Sequence, residues 1–363
     1  MPLVERFQLD LPLIQAPMAG VSTPLLAASV SNAGGLGSIG LGATDADGAR
    51  KMIGEMRDRT PRAFNVNLFV HRTPRPDPVR EAAWLETLSP LFARFGAKPP
   101  AALRSIYKSL ADDPGMLAML LELAPPVVSF HFGLPPADMI SALQTRGIFL
   151  MASATSAEEA RAIRNAGLDA IIAQGIEAGG HRGMFDPASR DDALGTFALT
   201  RLLAREAGLP VIAAGGIMDG GGIAAALQLG AVAAQLGTAF IGCPESAADD
   251  AYRAALTGPG AYHTVLTSLI SGRPARALAN RFTALDNGAG GNVLPDYPIA
   301  YDAGKALNSA AKARGEYGFG AQWAGQGAPL ARSMPAADLV QTLKQELARS
   351  QSALHPRSAD EAE

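Results

Sequence analysis

The sequence predicts an α/β protein built on a (β/α)8 TIM barrel, with inserted, mainly helical segments that cover the substrate end. Three observations predict it. Eight short apolar runs recur along the 363 residues. Helical stretches with recognisable start signals alternate with those runs. Glycine-bearing turns follow the last two runs, where barrels of this kind often bind phosphate. A doubly wound open sheet is the alternative arrangement.

The runs are Leu13–Ala16, Leu36–Ile39, Phe64–Asn67, Val127–Phe130, Phe149–Ala152, Ala170–Ala173, Val211–Ala214 and Ala233–Leu236. They suit parallel strands buried on both faces, which read as continuous apolar segments. Thr23 before Pro24 places a cap ahead of proline at the first helical position. Ser156 with Glu159 fits a capping box. Asp219 opens a helix through Leu229, and Gly230 ends it. Five of the seven start-to-start spacings lie between 21 and 28 residues, and the other two are 63 and 41. The longer gap opens on the Pro-rich stretch His71–Pro78 and holds amphipathic segments around Val79–Phe95 and Ala102–Leu123. The other holds the Gly-rich loop Gly175–Gly195. A third irregular region, Gly258–Leu330, is rich in Gly, Asn and Tyr. Long insertions after barrel strands usually build the substrate end. The expected division is therefore a barrel of residues 1–72, 126–257 and 331–363, with 73–125 and 258–330 forming a smaller substrate domain. A closing helix follows Pro335, with Leu339, Val340, Leu343 and Leu347 on one face. The last dozen residues read as a solvated tail.

Composition removes several function classes. Hydrophobic residues make up 48% and charged residues 18%, which excludes wholesale disorder. A net charge of -3 and a pI near 6.0 give no support to a nucleic-acid or acidic-membrane partner. The single cysteine, Cys243, excludes an intrachain disulfide and a multi-cysteine zinc site, and its apolar setting reads as structural. The start, MPLVERFQLD, has no basic segment leading into an apolar run, so a cytoplasmic setting is expected. Gly220–Pro244 is uncharged and long enough to span a bilayer. Gly230, Gly237, Gly242, Gln228 and Gln235 interrupt it, so it reads as a buried helix followed by a buried strand.

Two glycine patterns compete for a ligand. Gly35-Leu36-Gly37-Ser38-Ile39-Gly40 matches G-x-G-x-x-G. The dinucleotide fingerprint needs a strand before it and a helix starting within it. Here a helix ends before the motif and the strand lies inside it, so a helix C-cap leading into a glycine-rich strand is the better reading. Ala213-Ala214-Gly215-Gly216-Ile217 and Gln235-Leu236-Gly237-Thr238 are the stronger pair. Glycine lets backbone N–H groups approach phosphate oxygens, and the Thr238 hydroxyl adds a donor. Turns that merely need glycine are the plain alternative. No G-x-x-x-x-G-K-[ST] run occurs, so a nucleoside triphosphate is not the obvious ligand.

Histidine placement points to chemistry. His181 lies in the Gly-rich loop after the sixth run, at the end of a barrel where active sites are built. An imidazole pKa near 6.5 suits proton uptake at neutral pH. His131 ends the fourth run, as a polarising or anion-orienting group or as a satisfied core residue. His71, His263 and His355 have no supporting context. No histidine pair has metal-ligand spacing, and no metal is expected. Tyr107, Tyr297, Tyr301 and Lys305 read by themselves equally well as packing with a solvated cation or as a group around a substrate.

Six segments then occur in order: Gln15-Ala16-Pro17-Met18-Ala19-Gly20, Asn65–Phe69, Ser129-Phe130-His131-Phe132-Gly133, Gln174–Gly183 with its AGGHRG run, Ala213–Ile217 and Gln235–Thr238. The set resembles the nitronate monooxygenases, formerly called 2-nitropropane dioxygenases, from residue 13 to about residue 310. That family shares its barrel and several motifs with flavin-dependent enoyl-acyl-carrier-protein reductases and some flavin quinone reductases. The run at 129–135, and Tyr297, Tyr301 and Lys305 with Tyr107 upstream, resemble the bacterial class I enzymes. The resemblance implies non-covalent FMN, its phosphate on Gly215, Gly216 and the turn Gln235, Leu236, Gly237 and Thr238. It implies a flavin ring near Ala16, Pro17, Met18 and Asn67, with Gln174, Gly179 and Gly180 on the other side. It implies His181 as the catalytic base, and His131, Tyr107, Tyr297, Tyr301 and Lys305 around an anionic substrate. The implied reaction is oxidation of an alkyl nitronate, propionate 3-nitronate, by O2 to a carbonyl compound plus nitrite or nitrate, with a detoxifying role. The expected partners are the small nitronate and O2, with no nucleic acid and no membrane, in a monomer or homodimer. The rival readings are an NAD(P)H-dependent flavin reductase of enoyl thioesters or quinones, a non-catalytic flavin-binding barrel, and a sugar-phosphate barrel without flavin.

Overall fold

Each apolar run becomes a strand in the computed structural model, which describes residues 3–287 and 294–354. The strands are β1 (Leu13–Gln15), β2 (Gly37–Gly40), β3 (Phe64–Phe69), β4 (Val127–His131), β5 (Phe149–Ala154), β6 (Ala170–Gln174), β7 (Val211–Ala214) and β8 (Ala233–Leu236). They form one eight-stranded sheet in the order β1-β8-β7-β6-β5-β4-β3-β2. A parallel bridge between Ile14 and Leu36 joins β1 to β2 and closes the ring. Closure makes this a (β/α)8 barrel and removes the open-sheet alternative. Strands β3 to β6 run one or two residues past the apolar runs. The added residues are polar, as with His131 and Gln174, or follow a polar one, as with Leu68 and Phe69 after Asn67. Polarity there marks the barrel mouth rather than a strand end.

The helices start where their caps predict. Thr23 Oγ1 accepts from the Leu26 N–H at 3.0 Å, and Asp219 Oδ1 accepts from Gly222 at 2.7 Å. Ser156 Oγ accepts from Glu159 at 3.3 Å. Glu159 does not return the bond to Ser156, as a full capping box would; it takes the Thr155 N–H at 2.6 Å. The glycine of the G-x-G-x-x-G run also has a structural explanation. A Cβ on Gly37 would lie 1.8 Å from the Ala27 carbonyl oxygen. Gly37 thus lets the Pro24–Asn32 helix seat directly on β2.

The uncharged stretch from Gly220 divides into a helix (Gly220–Gln228), β8 and a short helix (Thr238–Ile241). No helix among the described residues is long and apolar enough to cross a membrane. The Ala336–Leu354 helix buries Leu339, Val340, Leu343 and Leu347 and packs on the Gly220–Gln228 helix. Most of the expected solvated tail, with His355, lies outside the described residues. At the opposite end of the chain, Leu3 joins Val127 and Phe149 in the cluster at the N-terminal end of the barrel.

Val79–Phe95 is helical over Pro78–Arg94. Ala102–Leu123 is α-helical only from Pro114, after a 3-10 turn at Leu110–Asp112; Asp113 caps the α-helix and proline occupies its first turn. Leu110, Met116, Met119 and Leu120 pack with the barrel. Trp84, Leu88, Phe92 and Leu103 instead join Leu269, Ile270, Phe282, Ile299 and Leu307 in a second apolar core drawn from both insertions. A small antiparallel sheet orders Thr264–Thr267, Ala275–Leu278 and Gly180–His181. It sews the loop that bears His181 to the second insertion.

Candidate active site

A cleft enclosing about 1260 Å³, part of it open solvent, occupies the mouth formed by the strand C-terminal ends. Twelve of the thirteen expected cofactor residues line it: Ala16, Pro17, Met18, Asn67, Gln174, Gly179, Gly180, Gly215, Gly216, Gln235, Gly237 and Thr238. Leu236 does not, because strand alternation turns it into the core, where it is fully buried. His131, His181, Tyr107, Tyr297 and Tyr301 also line the cleft. Lys305 is not among the lining residues. It is exposed, with its ammonium 4.9 Å and 5.3 Å from the ring centroids of Tyr107 and Tyr301.

The two glycine turns stand side by side because β7 and β8 pair with Ala214 opposite Gln235. Gly215 and Gly216 have φ of +122° and +70°, which favour glycine. The N–H groups of Gly216, Gly237 and Thr238 have no hydrogen-bond partner among the described residues. Thr238 Oγ1 accepts from the Gly325 N–H at 3.0 Å, which leaves its own hydrogen to donate. Gln235 Oε1 is buried without a partner among the described residues. The unpartnered N–H groups call for an explanation, and a phosphate-tailed cofactor fits them; the Gln235 oxygen accepts and would need a donor on another part of such a ligand.

Across the cleft, His181 is held on several sides. Its backbone pairs with Ala275. Its carbonyl accepts from His131 Nε2 at 3.1 Å and from Gln174 Nε2 at 3.0 Å. Its ring lies 5.0 Å from the Trp323 ring, 5.2 Å from Tyr297 and 5.6 Å from Phe132. Its Nε2 is 2.9 Å from Ser271 Oγ. Burial, then the neighbouring His131 and Arg273, push its pKa well below the usual imidazole value. The ring is therefore neutral at pH 7, the state in which an imidazole accepts a proton.

His131 has both ring nitrogens committed, Nδ1 to Ser153 Oγ at 2.9 Å and Nε2 to the His181 carbonyl. Burial pushes its pKa down to about 4. The rest of the His181 loop is pinned by one ion pair within it and one contact from outside. Arg182, buried, makes a two-pronged ion pair with Asp191 at 2.8 Å and 3.0 Å. Arg276 Nε donates to the Ile176 carbonyl at 3.0 Å.

The tyrosines form an apolar wall with polar tips. Burial pushes the Tyr107 phenol up to about 12 and raises Tyr297 and Tyr301 as well. Tyr301 Oη accepts from Trp323 Nε1 at 3.3 Å, so its hydrogen is free. Tyr297 Oη is buried without a partner among the described residues. Sequence reasoning missed Trp323, Ser153 and Ser271. Trp323 is one of two tryptophans and sits in a Gly-rich segment, which was a usable signal. The serines offered none.

A family model described as nitronate monooxygenase matches residues 1–346. The chain belongs to the nitronate monooxygenase family. It is 62% identical over 348 residues to a nitronate monooxygenase of Paraburkholderia phytofirmans, covering 96% of this chain and 95% of that one. It is 59% identical over 336 residues to a nitronate monooxygenase of Pseudomonas aeruginosa, covering 93% and 96%. Among solved structures, a nitroalkane oxidase from Streptomyces ansochromogenes superposes with a TM-score of 0.88 at 42% identity, over 98% of this chain and 100% of that one. FabK from Thermotoga maritima superposes with a TM-score of 0.73 at 29% identity, over 97% of each chain. Nitronate monooxygenases are flavin-dependent oxidoreductases, and the chain is an enzyme of that type.

Proposed function

We propose that this enzyme oxidises small anionic nitronates with O2 and FMN, giving a carbonyl compound and nitrite or nitrate. Propionate 3-nitronate is the substrate of this reading, with malonic semialdehyde as its organic product. One observation carries it: a neutral His181 faces a cleft whose other side is two adjoining turns of unpartnered N–H groups. When bound, FMN supplies the electron transfer between nitronate and O2. Gly215, Gly216, Gly237 and Thr238 would hold its phosphate. Ala16, Pro17, Met18, Asn67, Gln174, Gly179 and Gly180 would border its ring.

The remaining residues bind, orient and move a proton. A nitronate already carries its negative charge. A neutral nitroalkane must first lose an α-proton, and His181 takes it. Tyr297 and Tyr301 have O–H hydrogens free to donate to the anion. Tyr107, Trp323 and Phe69 wall the cleft and exclude water. Lys305 draws carboxylate-bearing substrates to the rim. The second apolar core supports treating 73–125 and 258–330 as a substrate cap, although the Pro114–Leu123 helix packs on the barrel. A cytoplasmic setting and a monomer or homodimer belong to the same reading.

The test compares His181→Asn on neutral nitroethane and on pre-formed ethyl nitronate, followed by nitrite release. Turnover of the neutral compound is expected to fall at least roughly 100-fold more than turnover of the nitronate, in line with general-base contributions. Equal losses would remove His181 as the base. Anaerobic mixing of the yellow protein with NADH or NADPH separates the reductase reading, which requires fast bleaching.

A further inference from the structure

We propose that Ser271 is a positioning residue that fixes the tautomer of His181, so that Nδ1 is the nitrogen that takes the substrate proton. The proposal rests on the reading of His181 as the base. It begins from where one hydrogen must go. Ser271 Oγ lies 2.9 Å from His181 Nε2 and 3.1 Å from the Arg273 carbonyl oxygen. A carbonyl only accepts. The Ser271 hydroxyl therefore donates to the Arg273 carbonyl, and its oxygen is left to accept from Nε2–H. The Arg273 N–H, 3.4 Å from the same oxygen, adds a second, longer donor.

The opposite arrangement turns the hydroxyl hydrogen toward Nε2. The Arg273 carbonyl then has no donor among the described residues, in a residue only 3% exposed. An unpaired buried acceptor is costly, whereas both partners are satisfied in the first arrangement. Ser271 is itself fully buried, so water does not substitute easily for either bond.

The consequence for chemistry is direct. Neutral imidazole has one unprotonated nitrogen, and only that nitrogen takes a proton. With Nε2 carrying its hydrogen, Nδ1 holds the lone pair. Nδ1 has no hydrogen-bond partner among the described residues, and His181 lines the cleft. The ring is poorly free to turn over, with its backbone in the small sheet, its carbonyl clamped by His131 and Gln174, and Trp323, Tyr297 and Phe132 around it. Proton uptake at Nδ1 then gives an imidazolium whose Nε2–H still faces Ser271 and, through it, the Arg273 carbonyl. Such a chain polarises along its length toward the new charge.

The test reads the tautomer without reference to turnover. The protein as purified, labelled with 15N-histidine, is examined by two-bond 1H–15N correlation, with His181 assigned by its loss in His181→Asn. The expected spectrum shows a protonated, pyrrole-type Nε2 and an unprotonated, pyridine-type Nδ1. In Ser271→Ala both tautomers are expected to appear. The ratio of nitroethane turnover to ethyl nitronate turnover should drop roughly ten-fold. Ser271→Thr keeps the hydroxyl and should restore both the spectrum and the ratio. A protonated Nδ1 in the native enzyme would overturn the proposal, as would an unchanged tautomer pattern in Ser271→Ala. If Ser271→Ala does not fold, the native and Ser271→Thr spectra decide it. Failure of the His181→Asn comparison would instead remove the base assignment and leave the tautomer measurement standing by itself.

Discussion

Tyr297 shows what a single residue contributes to this site. Its phenol is buried at the cleft wall with an oxygen that meets no partner among the described residues. A group like that costs stability and is explained by a ligand it bonds. Tyr297→Phe should therefore raise the KM for ethyl nitronate roughly ten-fold, the loss of one hydrogen bond to a charged group. Its melting temperature should stay level or rise, because an unsatisfied donor is removed. A fall in Tm with an unchanged KM would show Tyr297 to be a packing residue. Lys305 lies at the other extreme, exposed and stacked over two aromatic rings. Its pull on a carboxylate works through water and is worth no more than about 1 kcal/mol. Lys305→Met should weaken propionate 3-nitronate relative to ethyl nitronate by roughly five-fold at low salt. That gap should narrow as ionic strength rises, since screening acts on exposed charge. A preference that stays constant across variants and salt would remove Lys305 from substrate attraction.

At the scale of elements, the proposed cofactor side depends on two turns whose geometry only glycine meets easily. A Cβ on Gly215 would lie 2.6 Å from Thr196 Oγ1. That hydroxyl already donates to the Glu177 carboxylate at 2.8 Å, and Thr196 anchors the loop to its own helix. Gly215→Ala should destabilise the fold by about 1–3 kcal/mol through backbone strain and crowding. It should also lower the flavin absorbance retained per protein after gel filtration. Full retention would show that the turn is structural only. These turns and all eight strands were legible in the sequence, because buried parallel strands are continuous apolar runs and sharp turns demand glycine. The insertions were less so. Residues 102–113 have amphipathic spacing, yet the helix waits for the Asp113–Pro114 start signal. Leu236 sits in the right turn, but the pleat of β8 turns it away from the cleft. Ser271 reaches His181 from 90 residues away, and no local pattern encodes such a meeting. Glu177, too, does its work across the chain, on Thr196.

For the whole molecule, burying neutral imidazoles at a closed barrel mouth has a consequence for acid stability. His71, His131 and His181 all have pKa values lowered by burial, and that of His131 is pushed down to about 4. In the unfolded chain each returns to about 6.5. Between those values the unfolded state binds more protons than the folded one, so stability increases with pH. The contribution is fully present above about pH 6.5 and is lost as pH falls toward 4. Asp191 is lowered by its hydrogen bonds to Arg182, but from an ordinary carboxylate value, so its own loss comes below that window. The decline between pH 6.5 and 4 thus belongs mainly to buried imidazoles, and its size is on the order of a few kcal/mol. Melting temperature measured at fixed ionic strength should be nearly level from pH 8 to 7 and then fall steadily to pH 5. His71 is the residue to vary, because it lies behind Tyr297 and its Nε2 is buried without a partner. His71→Phe should shallow the slope below pH 6.5 while preserving the edge-on packing against Tyr297. A Tm that is flat from pH 7 to 5 in the native enzyme would mean that the folded and unfolded states bind equal numbers of protons, so that burial does not shift these imidazoles. A Tm that instead rises as pH falls from 8 to 6 would show imidazoles protonated in the folded state; His181 would then be an acid rather than a base at neutral pH, and the proton-abstraction step would have to be assigned to another group.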